Sequence, residues 1–210
     1  MTWAPDYIAV SDLKAFLRID SGDTADDVQL ARDVTAASRA VDMTCSAGFP
    51  RQFGQTTGTE TRYYTPRYDC SRGRWVIETD DFQDATGLTV TITNSVVTAA
   101  AVTLYAKQPI NGAATGRPYT RLVVDRLSTV VPRGEENEAA VTAKWGWAAV
   151  PVPVAEATLL QAARFTKRRD APFGIAGSPD SGSEVRLLAK VDPDVAVSLR
   201  KYIRHRLTVG

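Results

Sequence analysis

Histidine occurs once in the 210 residues, at position 205, and cysteine twice, at positions 45 and 70. A single imidazole excludes any metal site or mechanism that needs two, and it suits a Ser-His-Asp or Cys-His enzyme poorly. His205 lies in a basic C-terminal stretch and reads as a solvated surface residue. Cys45 and Cys70 have no histidine near them and no metal-ligand spacing, so both read as ordinary thiols of a protein made in the cytosol. No apolar run approaches the roughly 18 residues of a membrane-spanning helix. The first residues, Met1 to Asp6, show no basic segment followed by an apolar one, so no signal peptide is expected. Phosphate-binding and dinucleotide-binding glycine motifs, HExxH and GxSxG are all missing. These absences point away from an enzyme and give no reason to expect a cofactor or a metal.

What is present is ordinary globular composition, 44% hydrophobic and 23% charged, enough for a real core in one domain or in a domain carrying an insertion. The formal net charge of +1 hides an uneven spread. Residues 1–60 carry 9 acidic and 5 basic side chains, and residues 164–210 carry 10 basic and 5 acidic. An acidic head end and a basic tail end suit complementary contacts between neighbours.

Helical and strand periodicities occupy different parts of the chain. Ser11 is placed to cap a short helix with Leu13, Phe16 and Leu17 on one face. Thr24 with Asp27 resembles a capping box, followed by the stripe Leu30, Val34, Ala37, Val41 and Cys45, a long helix that Gly48 and Pro50 should end. The small residues Ala31, Ala36, Ala37, Ser38 and Ala40 would let another helix come close. Period-two, β-branched and aromatic runs then take over: 61–65, 74–78, 88–93, 96–105, 119–124 and 139–145. Helical spacing returns over 154–169 as a broad apolar surface, with Ala155, Leu159, Ala162 and Phe165 on one stripe, Val154, Ala157 and Leu160 beside it, and Lys167-Arg168-Arg169 at the end. Residues 170–183 are rich in Gly, Pro and Ser and read as a loop or arm. Asp192 and Pro193 announce a last helix, with Val195, Leu199, Tyr202 and Ile203 as its apolar stripe and Arg200, Lys201, Arg204 and Arg206 opposite. The fold class is therefore α+β: a helical core of residues 1–55 and 146–210, interrupted by a β-rich insertion at 56–145.

The residues of types that carry chemistry have simpler readings. Asp26-Asp27 and Asp80-Asp81 fall at expected element ends, where carboxylates cap or complement a helix dipole. Glu135, Glu136 and Glu138 read as a solvated loop between strands, and Trp145 and Trp147 as a local core at the strand-to-helix junction. The basic C-terminal helix admits phosphate contacts, but near-neutral overall charge argues against a dedicated DNA-binding protein.

Three stretches resemble a known family. Val10-Ser11-Asp12-Leu13-Lys14-Ala15-Phe16-Leu17-Arg18-Ile19, a Gly/Asp loop, and Asp26-Asp27-Val28-Gln29-Leu30 leading an Ala-rich helix resemble the start of phage head-to-tail connector (adaptor) proteins. Trp145-Gly146-Trp147, Pro151-Val152-Pro153 and the helix ending in Lys-Arg-Arg-Asp form the second match. Residues 171–177 (APFGIAG), then Asp192-Pro193-Asp194-Val195 and a final helix, form the third, similar to adaptors of phages that infect actinobacteria. The resemblance covers roughly residues 7–50 and 142–206, and the β block of about 85 residues departs from it. It implies a structural, non-catalytic virion protein of the neck, whose copies form a homo-oligomeric ring, expected to be a dodecamer, docked beneath the portal protein. Such a ring lines the DNA conduit, with non-specific contact to genomic DNA, and meets stopper or tail-terminator proteins; no membrane is involved. The expected interface lies between Arg164 and Arg206: Arg164, Lys167, Arg168, Arg169, Phe173, Arg200, Lys201, Tyr202, Arg204 and Arg206 would face the portal, and the β insertion would make exterior contacts. The alternatives are another neck or tail-completion subunit, stopper-like, or a nucleic-acid-binding module using the basic C-terminal helix.

Overall fold

The computed structural model describes residues 5–47, 51–170, 175–176, 185–186 and 193–205. They divide into two compact units, one of Pro5 with residues 51–149, the other of residues 6–47 with the described residues after 149. Helix α1 (Val10–Leu17) starts one residue earlier than the expected Ser11 cap: Ala9 is the N-cap, and its N–H donates to the Asp12 carboxylate at 2.9 Å. The first-turn carboxylate supplies half of a capping box where no capping hydroxyl exists. Helix α2 (Asp27–Cys45) buries Leu30, Val34, Ala37, Val41 and Cys45, the stripe that the sequence spacing predicts. Thr24 does not cap it. Asp27, expected to close a capping box, instead turns its carboxylate to the buried Lys14 at 2.8 Å. The same ammonium donates to the carbonyls of Ser21 at 3.3 Å and Asp23 at 2.5 Å. Three oxygens satisfy the buried cation and pin the acidic loop before α2 onto α1. A two-residue strand, β1 (Ser46–Ala47), follows α2 directly; Gly48 and Pro50 lie outside the described residues.

Eight strands make the other unit: β2 (Glu60–Tyr64), β3 (Arg67–Asp69), β4 (Arg74–Phe82), β5 (Thr89–Ile92), β6 (Ala100–Ala101), β7 (Tyr105–Gln108), β8 (Tyr119–Val124) and β9 (Ala139–Ala143). They pair antiparallel in two four-stranded sheets, ordered β2-β9-β5-β6 and β3-β4-β8-β7. Both sheets turn their alternate apolar residues to one core, Ile77, Leu122 and Val124 from one and Val90, Ile92 and Val141 from the other, as in a β-sandwich. Trp145 is fully buried in that core, edge-on to Phe82 at 6.0 Å and tilted on Tyr64 at 5.8 Å, with its indole N–H donating to the Glu60 carbonyl at 2.8 Å. The two ends of the unit are stitched together. Thr56 N–H donates to the Trp145 carbonyl at 2.9 Å, Trp145 N–H to the Thr56 hydroxyl at 3.1 Å, and Trp147 N–H to the Gln52 carbonyl at 3.3 Å. A segment whose two ends meet in this way satisfies its own backbone groups, a requirement for insertion into another unit.

Two expectations about acidic residues are corrected here. Asp80 and Asp81 do fall at the end of an element, but it is the strand β4 and their partners are side chains: Asp80 accepts from Arg62 at 2.7 Å and from the Tyr64 hydroxyl at 3.1 Å, and Asp81 accepts from Arg51 at 2.7 Å. Glu138 is 2% exposed and far from solvated. Its carboxylate accepts from the backbone N–H groups of Arg133 and Gly134 at 2.8 and 2.6 Å and from the Asn94 amide at 2.9 Å, closing two loops on one buried charge.

Helix α3 (Val152–Asp170) buries Val154, Thr158, Ala162 and Thr166, with Ala157 and Ala163 beside them, while Ala155, Leu159 and Phe165 are half-buried. The buried line thus runs through Val154 and Ala157, expected beside the stripe, and Ala162 of the stripe itself, with Thr158 and Thr166 added to it. The threonines can occupy it because their hydroxyls donate to the Val154 and Ala162 carbonyls at 2.9 and 3.2 Å. The Thr166 hydroxyl also lies 2.9 Å from the Asp33 carboxylate of α2. Ala37 of α2 and Ala162 and Ala163 of α3 share a core with Leu13, Leu30 and Val34, so the small residues Ala37 and Ser38 are covered by the chain's own helices. Two short strands, β10 (Ile175–Ala176) and β11 (Val185–Arg186), pair antiparallel. Helix α4 (Pro193–Leu199) then gives way to a 3₁₀ turn, Arg200–Tyr202, and to β12 (Arg204–His205), which pairs in parallel with β1.

Candidate assembly surfaces

The ten residues expected to form an interface do not lie on two continuous helices. α4 ends at Leu199, so Arg200, Lys201 and Arg204 are not one helical face: the first two are exposed on the 3₁₀ turn, and Arg204 is half-buried in β12, in register with Ser46. Val195, Leu199 and Tyr202 all bury, as their spacing predicts, but the backbone tightens to a 3₁₀ turn after Leu199 and then pairs as β12 with β1. Tyr202 is 7% exposed, with the Lys201 ammonium 5.1 Å from its ring, so its aromatic surface belongs to the unit's own core. On α3, Lys167 and Arg169 are exposed and Arg164 and Arg168 half-buried. Arg169 meets Asp26 at 3.3 Å through both guanidinium nitrogens, a pair that ties the C-terminal turn of α3 to the residue before α2. Phe173 and Arg206 lie outside the described residues.

A second polar cluster sits where the N-terminal segment crosses α2. The Tyr7 hydroxyl donates to Asp42, the Arg39 guanidinium is 3.3 Å from the same carboxylate and 5.5 Å from the Tyr7 ring, and Tyr7 N–H donates to the Ser38 hydroxyl at 3.2 Å. Burial pushes the Asp42 carboxyl up from 3.8 to about 6, against the lowering pull of the Tyr7 bond and the Arg39 charge. A folded-state pKa above the unfolded value stabilises the fold at low pH and is lost as pH rises through about 6. A shift of about two units corresponds to almost 3 kcal/mol, which residual solvent screening reduces to about 1–2 kcal/mol. The melting temperature of the wild-type chain, relative to Asp42→Asn, should therefore fall by roughly 3–6 °C between about pH 4 and 7. Parallel pH profiles for the two proteins would remove Asp42 as the cause.

The β unit carries a third feature, which the sequence reading does not contain. A cleft of about 320 Å³ opens on the outer face of the β3-β4-β8-β7 sheet, lined by Asp69, Arg72, Arg74, Val76, Gln108, Arg121, Val123 and Arg126. Arg72 is held by Asp69 at 3.0 Å, and Arg126 donates to the Gly73 and Arg72 carbonyls at 3.1 and 2.5 Å. Asp69 is kept below the usual carboxylate range by the Ser71 hydroxyl and by Arg72. Among the described residues Arg74 and Arg121 pair with no carboxylate. These arginines are scattered over positions 72 to 126, and only the antiparallel register of β4 with β8, which sets Val76 opposite Val123 and Glu78 opposite Arg121, collects them.

Among the described residues no group of three or more His, Cys, Asp or Glu is placed to hold a metal ion, and no helix is long and apolar enough to cross a membrane. Cys45 is a buried free thiol and Cys70 an exposed one. No family model and no curated protein matches the sequence. Among solved structures, the chain is similar to one described as the neck of an empty GTA particle computed with C6 symmetry, with a TM-score of 0.54 and 17% identity over 100% of this chain and 96% of that chain. At that identity the likeness is one of fold, and it extends over the β unit, the part that the sequence resemblance leaves out.

Proposed function

We propose that the chain is a structural subunit of the neck of a tailed-phage-like particle, an adaptor whose copies close into a ring beneath the portal, line the DNA conduit and present a platform to stopper or tail-terminator proteins. The observation that carries this reading is the likeness of fold, over all of this chain and 96% of the other, to the neck of a GTA particle. The sequence resemblance to connector proteins at residues 7–50 and 142–206 supports it independently, because it falls mostly on the helical unit. The helical unit is the adaptor core, the β unit an insertion that makes exterior contacts, and the protein works by assembly. The segment from Arg164 to Arg206 meets the portal, and Lys167, Arg200 and Lys201 offer it three exposed cations. Genomic DNA passing through the ring is touched without sequence preference.

Light scattering and imaging of the purified chain, alone and mixed with the portal of the same phage, tests this directly. A ring of twelve is expected; a ring of six shares the same sixfold axis, and the mass distinguishes them. The triple variant Lys167→Glu/Arg200→Glu/Lys201→Glu should keep its fold and weaken docking onto portal by about tenfold or more. Truncation before Val195 is a poorer probe because it removes Leu199 and Tyr202 from the core. A chain that never joins portal and binds duplex DNA with strong salt dependence would establish the nucleic-acid reading instead. Docking at a different tier of the neck would mark a stopper-like subunit.

A further inference from the structure

The arginine cleft of the β unit has the composition of a protein-binding surface. Along β4 and β8 the inward residues Ile77, Leu122 and Val124 belong to the sandwich core, which leaves Arg74, Val76, Arg121 and Val123 on the outer face. A sheet face that meets only water carries polar residues on its outward row. Here Val76 and Val123 lie side by side in register, and Val123 is only 6% exposed although it is on the outer face. An apolar floor ringed by guanidinium groups is the make-up of a protein interface core, in which arginine is enriched. Phosphate backbones are met by donors alone and gain nothing from such a floor.

We propose that this cleft is the receiving half of the contact between neighbouring copies, and that its occupant is the acidic loop of residues 20–27 of the next copy. The inference rests on the ring reading above, since a heterologous contact of this kind closes only in a ring. The loop (DSGDTADD) holds four aspartates and no cation. Asp26 and Asp27 are engaged by Arg169 and Lys14, whereas Asp20 and Asp23 are exposed and accept only from the N–H groups of Gly22 at 2.7 Å and Ala25 at 3.1 Å. Two carboxylates that bond no cation on one surface thus answer Arg74 and Arg121 on another, which bond no carboxylate among the described residues even though Glu78 stands opposite Arg121. Val28, 69% exposed just after the loop, supplies an apolar side chain for the Val76 and Val123 floor. Lys14 holds the loop in place through three hydrogen bonds, so binding need not order it, which lowers the entropic cost of association.

The test is a charge swap in the full-length chain. Arg74→Glu/Arg121→Glu and Asp20→Lys/Asp23→Lys, each on an accessible surface and each checked to melt like wild type, should raise the protein concentration needed for half-assembly about 100-fold. The chain carrying all four substitutions restores opposite charges across every contact and should assemble within about tenfold of wild type. Rings that form normally in both double variants overturn the assignment while leaving the ring reading intact. Folded double variants that fail to assemble, and a four-fold variant that also fails, overturn the loop as occupant. Duplex DNA binding that is lost in Arg74→Glu/Arg121→Glu while rings persist assigns the cleft to nucleic acid and overturns it too. A wild-type chain that forms no ring alone or on portal removes the ring reading and this contact together.

Discussion

Gly146→Ala is expected to destabilise the β unit by about 4 kcal/mol, a large share of the roughly 5–15 kcal/mol that holds an ordinary domain folded. A Cβ at that position would stand 1.9 Å from the Gly54 carbonyl oxygen and 2.8 Å from its carbon. Both are main-chain atoms, so no rotamer change relieves the clash. Gly146 also has φ +98, where an L side chain adds strain of about 1–3 kcal/mol, and overpacking at a fixed site adds a similar amount. The site is fixed on every side. Gly146 N–H donates to the Asp81 carbonyl at 2.7 Å, its carbonyl accepts from Gln83 N–H at 3.2 Å, and its neighbours Trp145 and Trp147 are both buried. Gly116→Ala is the matched control, with φ +64 and no atom within 4 Å of the added methyl; it should cost about 1 kcal/mol. Urea unfolding followed by tryptophan fluorescence separates the two. Equal midpoints for both alanine variants would show that residues 52–54 do not pack against Gly146.

Where a pattern depends on one element's own period, the sequence carried it. The five residues of the α2 stripe are buried as their spacing predicts, and β8 occupies residues 119–124 as its β-branched run predicts. The α+β class follows from keeping those two periods apart. Where the outcome depends on pairing or on a polar partner, the sequence was silent. β3 is three residues with no apolar alternation, made a strand only by its register with β4. Residues 96–105, expected as one strand, are broken because the Asn94 side chain accepts from the N–H groups of Val96 and Val97 at 3.0 and 3.1 Å and Ala99 takes φ +49. Glu138 reads as solvent-facing until the three donors around it are brought from residues 94, 133 and 134. The arginine cleft is the extreme case: its four guanidinium groups need the β4–β8 register and two turns before they meet. At the C-terminus the cap signal and the apolar stripe predict one helix through Ile203, and Tyr202 does bury, but the helix ends at Leu199 where a 3₁₀ turn and the long-range β1–β12 pairing take over.

Arg51→Met is expected to cost about 3–5 kcal/mol, the usual penalty for leaving one partner of a buried ion pair uncompensated. Arg51 opens the 51–149 segment of the β unit, and its guanidinium lies 2.7 Å from the Asp81 carboxylate, with side-chain exposures of 10% and 1%. The Trp147 indole N–H donates to the same oxygen at 3.2 Å, and the Arg51 guanidinium sits 5.9 Å from the Trp147 ring. Residues from the start, middle and end of the unit therefore meet on one carboxylate. Methionine keeps the aliphatic reach of arginine and removes its charge, so the substitution isolates the electrostatic part. The neutral indole N–H does not replace the lost positive charge beside a carboxylate so fully withdrawn from water. Asp81→Asn in the Arg51→Met background removes that anion and should recover about 1–3 kcal/mol, whereas Asp81→Asn alone takes the carboxylate from the guanidinium and should be destabilising. Urea unfolding of the four proteins in a double-mutant cycle gives the coupling directly. A double variant no more stable than Arg51→Met would mean that Arg51 acts through its packing on Trp147 and that the charge of Asp81 is carried by its other partners.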